Sequence, residues 1–372
     1  MARPQLQSLL ERLDTSLKFA GRGICIGFVD SGFYPHPDLM RPRRRIKVYA
    51  DASRDEPVAR DFFTPHPVSW HGTMTACSAA GNGYVSGGRF RGLASEAEVV
   101  LIRVAGADGR ISNAHIAHAI RFPLRHPQLG IRILNVSVAA HGSSPDLDDV
   151  EAAVAEVVRA GIAVFAAAGN RAGVPPAPPG SAPEAITVGG QNDHGTRGGR
   201  ADELWPSSYG SPKPGICKPD LVAPAIWVPA PMLPGTAVAR EAAPLFQLLS
   251  VLEEVSAEQG FSETRQTATP EERASVSGLI QAVEARIARC KYLSPDYQHV
   301  DGTSFASPIT ASVAAQMLEA NPSLTPAELR EGLTATAVPL ANVPQIMQGA
   351  GVLQPRQAVE WALGASKAPA AK

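Results

Sequence analysis

Cysteine is scarce in this chain of 372 residues, which has only four. Cys25, Cys77, Cys217 and Cys290 lie far apart and form no CxxC pair, so zinc ligation and a disulfide framework both lack support. Cys25 and Cys77 sit among apolar or small residues and read as buried thiols, which suits a reducing interior. An excess of one charge is also missing. The 34 basic and 35 acidic residues leave a formal net charge of -1, so no bulk field draws the chain to nucleic acid or to an anionic membrane. The basic run Arg41, Arg43, Arg44, Arg45 and Lys47 is short and interrupted, and reads as a solvated loop. No apolar stretch is long enough to cross a bilayer. Leu6, Leu9, Leu10 and Leu13 have helical spacing, but charged residues interrupt them and no small-residue cleavage site follows, unlike a secretory signal. The expectation is a cytoplasmic protein with no membrane or nucleic-acid partner.

What is present is a globular composition, 44% hydrophobic and 19% charged, with material for a sizeable core. Short apolar runs at 24–29, 99–104, 131–138, 162–168 and 185–188 alternate with helical patterns at 73–80, 112–122 and 148–159. Runs without strict alternation are what strands covered on both faces look like. The fold class expected is therefore α/β, a central parallel sheet with helices on both faces. Residues 175–183 are proline-rich and read as an irregular loop. A long interval at about 231–300 carries helical patterns at 242–258 and 270–290, with Thr269 as a cap for the second. Leu245, Leu249 and Leu252 form one apolar stripe, and Leu279, Ile280, Val283 and Ile287 another. Further helices are expected at 301–320 and 325–334. The organisation predicted is a helical extension over 1–20, one domain over 21–362 with the 231–300 insertion, and a disordered tail over 363–372.

Three short segments carry chemistry. Asp30-Ser31-Gly32 follows a buried strand, at the sheet end where parallel α/β folds build sites. His71-Gly72-Thr73 lies just before a helix of small residues. Gly302-Thr303-Ser304 opens another helix, where a hydroxyl meets free backbone N–H groups. Singly, each has a structural reading: a turn-capping aspartate, a structural histidine, a helix-start serine. Together they supply what a hydroxyl needs to attack at neutral pH. An imidazole takes its proton, and a carboxylate holds that imidazole in the right tautomer.

In that order, Asp30-Ser-Gly, His71-Gly-Thr and Gly302-Thr-Ser304-Phe-Ala-Ser-Pro resemble the three signature segments of the subtilisin-like serine proteases. Subtilisin itself is the reference case for the Asp, His, Ser chain order. The resemblance runs from about Gly21 to Ala362, apart from the long interval, and also takes in Lys218-Pro-Asp220 and Gly349-Ala-Gly351. It implies a subtilisin-like three-layer fold and a serine endopeptidase working through a Ser304 acyl-enzyme. Asp30 would orient His71, the general base. Asn170, in Ala168-Gly169-Asn170, would donate its amide to the oxyanion together with the Ser304 N–H. Gly106, Gly109, Arg110 and Ile111 resemble the edge that pairs with substrate backbone. Ser137, Val138 and Ala139, with Ala168 and Gly169, resemble the other walls of the cleft. The family usually has glycine where Ala139 stands, so a methyl there is expected either to narrow the first specificity pocket or to shift the substrate strand.

With Asp30 so near the start, no inhibitory prodomain is expected, which resembles the intracellular members. No cofactor is required by this chemistry. Asp38 resembles a position that often binds structural calcium, with the loop 81–83 beside it as a second oxygen source. The partners expected are protein or peptide substrates. The 231–300 insertion is a candidate for a lid, a regulatory partner surface or self-association, against the simpler reading that its helices pack on each other and on the domain. Three other functions share the sequence features: a latent protease activated by a partner, a peptide ligase or cyclase using the same triad, and a non-catalytic peptide binder.

Overall fold

The buried apolar runs become the strands of one sheet. The computed structural model describes residues 7–52, 63–142, 146–197, 203–261 and 270–365. The strands are β1 (Cys25–Asp30), β2 (Ile46–Asp51), β3 (Glu98–Arg103), β4 (Ile131–Val136), β5 (Ala163–Ala167), β6 (Ile186–Asn192), β7 (Glu203–Leu204), β8 (Gly210–Lys213), β9 (Ile216–Lys218), β10 (Leu221–Pro224), β11 (Val228–Pro231) and β12 (Tyr297–Val300). The main sheet has the order β10-β6-β5-β4-β1-β3-β2, all parallel, with β7 antiparallel on β6. The chain leaves β1 for β2 and β3 on one side, then adds β4, β5 and β6 on the other. The winding reverses beside β1, and the crevice at such a reversal, beyond the carboxyl ends of the strands, is where parallel sheets bind ligands. Asp30 is the last residue of β1.

Two of the parallel strands of the main sheet escape the periodicity argument. β2 follows the basic cluster, and β10 ends in Pro224, which an edge strand tolerates because one side of it needs no donor. The basic cluster is not wholly a solvated loop either. Arg45 is buried and donates to the carbonyls of Asp38 (2.5 Å), Ala80 (2.6 Å) and Ala97 (3.0 Å).

Helices cover both faces. The longer ones are α3 (Ser69–Ala80), α4 (Asn113–Ile120), α6 (Asp146–Arg159), α9 (Thr303–Ala320), α10 (Pro326–Ala335) and α12 (Pro355–Ala365); α1 (Leu9–Arg12), α2 (Pro37–Met40), α5 (Phe122–Arg125) and α11 (Gln345–Gln348) are single turns. Met74, Phe305, Ile309, Leu329 and Val359 pack with Ile26 and Phe28 in one core, so α3, α9, α10 and α12 lie on one face. Ile116, Val150 and Val154 pack with Val29, Val100 and Val136 in a second core, placing α4 and α6 on the other. The expected three layers are present. No described helix is long and apolar enough to cross a membrane, and all four cysteines are free.

The N-terminal extension is less helical and better integrated than expected. Its only described helix is α1, with a capping box between Ser8 and Glu11. Leu9 and Leu13 join the main core. Arg12, with no exposed side-chain surface, grips Asp193 through two hydrogen bonds of 2.9 and 2.6 Å and also donates to the carbonyls of Ile226 and Trp227. Removing one partner of such a buried pair strands the other charge, so Arg12→Ala should lower the unfolding free energy by about 3–5 kcal/mol. A denaturant titration reads this as an earlier midpoint. At the other end, residues 363–365 finish α12 rather than starting a tail, and 366–372 lie outside the described residues.

The insertion is a pair of helices, α7 (Ala237–Phe261) and α8 (Pro270–Arg289), between antiparallel β11 and β12. Its own small core joins Leu249 and Leu252 to Val283, Ile287, Tyr292 and Met232. Glu241 ties the two helices by accepting from Arg286 Nε (2.6 Å) and Tyr292 Oη (2.9 Å). The helices therefore pack chiefly on each other. Leu279, expected in the apolar stripe, is 52% exposed, and Thr269 lies outside the described residues.

Candidate active site

Asp30 is 1% exposed, so its carboxylate requires partners. One oxygen accepts the Ser31 N–H (2.7 Å) and His71 Nδ1 (2.7 Å), and the other accepts the Thr75 hydroxyl (3.1 Å). An imidazole that donates from Nδ1 presents Nε2 as its base. Burial pulls the His71 pKa down, but the Asp30 charge and hydrogen bond more than offset it, leaving the value above the ordinary 6.5.

His71 stands inside the first turn of α3, not just before the helix as expected. Gly72 explains how α3 reaches β1 so closely. A Cβ there would lie 2.3 Å from the Gly32 carbonyl and 2.9 Å from Asp30 Cβ. The Ser31 hydroxyl donates to the Val68 carbonyl (2.7 Å), fastening the start of α3 to the same turn.

Ser304 is the second residue of α9. The preceding Gly302 has φ +133°, a conformation that favours glycine. Its N–H donates to the Ala225 carbonyl (2.7 Å). Phe305 packs on the His71 ring with centroids 5.8 Å apart, so α9 and α3 meet where the serine and histidine lie. The Ser304 carbonyl accepts from Ser137 Oγ (3.1 Å), Ser137 accepts from Asn135, and Asn135 accepts from Ser307 (2.8 Å), which pins the first turn of α9 to the end of β4.

Asn170 follows β5. Its side-chain oxygen accepts the Thr303 N–H (3.0 Å) and the Thr303 hydroxyl (2.9 Å). With the oxygen so held, the amide nitrogen is left as a donor beside Gly302, whose hypothetical Cβ would lie 3.4 Å from it. Gly169 donates its N–H to Thr303 Oγ1 (3.1 Å). Thr303, Asn135, Ser307 and Thr75 escape the sequence reading. The signal available was polar residues set in buried apolar runs, where each must find a partner.

The wall residues fall at the carboxyl ends of neighbouring strands. Gly106 to Ile111 form a tight turn after β3, closed by Gly106 N–H to the Arg110 carbonyl (2.9 Å) and an Ala105–Ile111 bridge. Arg110 and Ile111 are exposed. Ser137, Val138 and Ala139 follow β4, and Ala168 and Gly169 follow β5. These segments thus follow the carboxyl ends of β3, β4 and β5, on the sheet whose β1 ends in Asp30.

Asp38 is differently placed. It is fully buried, and its carboxylate accepts from the Tyr297 hydroxyl and from the Val85 N–H (3.1 Å), with His36 Nδ1 at 3.6 Å. The side-chain oxygen of Asn82 accepts the Tyr84 N–H. Among the described residues no group of three or more His, Cys, Asp or Glu could hold a metal. Calcium needs about six to eight oxygens, and these residues, already committed to protein donors, do not fit that ion.

A buried carboxylate on a histidine, a helix-start serine and an oriented carboxamide thus stand on one three-layer parallel sheet. The sequence profile of the subtilase family matches residues 21–354, and the chain belongs to that family. Serine protease AprX of Bacillus subtilis is 27% identical over 321 residues, which cover 84% of this chain and 60% of that protein. Two solved structures have the same fold. Fervidolysin from Fervidobacterium pennivorans, described as a keratinolytic enzyme related to subtilisin, matches with a TM-score of 0.64 and 18% identity, covering 94% of this chain and 45% of its own. A protease from Pseudoalteromonas arctica matches with a TM-score of 0.61 and 21% identity, covering 96% of each chain. The chain thus spans less than two thirds of AprX and of fervidolysin.

Proposed function

We propose that this chain is an endopeptidase that hydrolyses peptide bonds through an acyl-enzyme on Ser304. The observation that carries this is the 2.7 Å hydrogen bond between buried Asp30 and His71 Nδ1, which leaves Nε2 to act as the base. As Ser304 Oγ bonds to the scissile carbonyl carbon, its proton passes to His71. The oxyanion is held by Asn170 Nδ2 and the Ser304 N–H. The C–N bond then breaks, and His71 gives the proton to the departing amine. Water attacks the resulting ester, yields its proton to His71, and releases the acid while Ser304 regains its hydrogen. The substrate backbone adds as a strand along residues 109–111.

The base works only as neutral imidazole. Activity should therefore fall as pH drops through the His71 pKa, which Asp30 holds above 6.5. A profile of kcat/KM against pH with a peptide substrate checks this. An acid limb centred above 6.5 is expected; a rate independent of pH between 5 and 9 would remove His71 from the mechanism.

A further inference from the structure

An apolar cleft of about 280 Å³ lies beside the catalytic centre, and the triad does not use it. Trp70 and Met74 of α3 form one wall. Met232, Leu233, Thr236, Val238 and Gln298, from the base of the insertion, form the other. Trp70 is 44% exposed and Val238 37%, so the cleft is open to solvent. It adjoins the centre, because the Trp70 ring stands edge-on to the His71 ring with centroids 5.2 Å apart.

Its position relative to the scissile bond follows from the histidine and the helix. His71 hands its proton to the departing amine, so the leaving-group side of the cut lies at His71, against which Trp70 stands. Gly109, on the edge segment that pairs with substrate backbone, instead approaches Val68 at the start of α3, where an added Cβ would lie 3.5 Å from the valine. At about 100° per residue, Trp70 and Met74 project roughly 200° and 240° round the helix from Val68, on the opposite flank. The second wall is also tied to the centre, since β12, which carries Gln298, runs straight into Asp301-Gly302-Thr303-Ser304. An extended chain covers about 3.3 Å per residue. The first or second residue beyond the scissile bond therefore reaches the cleft.

We infer that this cleft is a subsite for one large apolar side chain, such as leucine or phenylalanine, on the leaving-group side of the cut. The inference rests on the endopeptidase reading above. It also gives the insertion a role in substrate choice, because every lining residue except Trp70 and Met74 comes from its base. The lining supplies apolar surface and no charged group, so glycine forfeits the contact and aspartate meets a desolvation cost.

The test uses the full chain and a quenched peptide that it cleaves, resynthesised with Gly, Ala, Leu, Phe or Asp at each of the first two positions after the cut. For the wild type, kcat/KM for Leu or Phe should exceed that for Gly by about tenfold or more at one position. Val238→Glu, which adds a charge, and Val238→Trp, which fills the space, should each bring that ratio close to one. The preference among residues before the cut serves as the internal control, since a general structural defect would alter both sides. A wild-type ratio near one, or a ratio that survives both substitutions, overturns the subsite while leaving the endopeptidase reading intact. Equal cleavage by the wild type and Ser304→Ala overturns both.

Discussion

Ser304→Ala is expected to abolish peptide hydrolysis while leaving the fold intact. The rate loss should be on the order of 10⁶ in kcat, the scale found for this nucleophile in subtilisin itself. The serine side chain is small and alanine suits the first turn of a helix, so little packing is lost. The Ser304 carbonyl would still accept from Ser137, and Phe305 would still lie on His71. Casein digestion and cleavage of a short peptide, with far-UV circular dichroism as the control, measure both parts. Residual activity within tenfold of the wild type would mean that another residue attacks.

Asp30→Asn should cost less but reveal more. The carboxylate does two things that an amide cannot. It accepts the Nδ1 proton, which selects the tautomer with a basic Nε2, and its charge favours the imidazolium that forms during attack. An asparagine that turns its NH₂ towards His71 selects the wrong tautomer. The expected loss is about 10⁴ in kcat, by the logic of the triad. The pH profile should move as well. Burial lowers the His71 pKa, and only the Asp30 charge and hydrogen bond raise it above 6.5. Without that charge, the acid limb of whatever activity remains should shift to lower pH. A loss of rate with an unmoved limb would show that Asp30 is not the group setting the histidine's proton affinity.

The residues proposed as catalytic were legible because each sits at a marked junction. Asp30 ends an apolar run before a turn, and His71 and Ser304 each stand at the start of a helix of small residues. The layers were legible for a similar reason, since strands buried on both faces must be continuously apolar. The surrounding network was not. A buried asparagine such as Asn135 announces that it needs a partner, but not that the partner is Ser307, 172 positions away. Arg12 and Asp193 are 181 positions apart, and an arginine near a chain start reads as solvated until the fold buries it. Arg45 failed for the same reason inside a basic cluster. The calcium expectation rested on Asp38 with the loop 81–83 as a second oxygen source; what decides it is Tyr297, which comes from the far side of the insertion to occupy the Asp38 carboxylate. Local pattern reports which backbone a residue adopts, whereas the neighbour of a buried polar group depends on how distant segments meet.

The most direct measurement is the site of attachment of a fluorophosphonate, which reacts with an activated serine and mimics the tetrahedral adduct. The wild-type chain would be treated with diisopropyl fluorophosphate, weighed intact by mass spectrometry, digested and mapped. One diisopropylphosphoryl group should be found, on the peptide carrying Ser304, with loss of casein cleavage in proportion to labelling. A chain that cleaves casein but carries the adduct on another residue, or stays active with Ser304 fully labelled, would contradict the assignment.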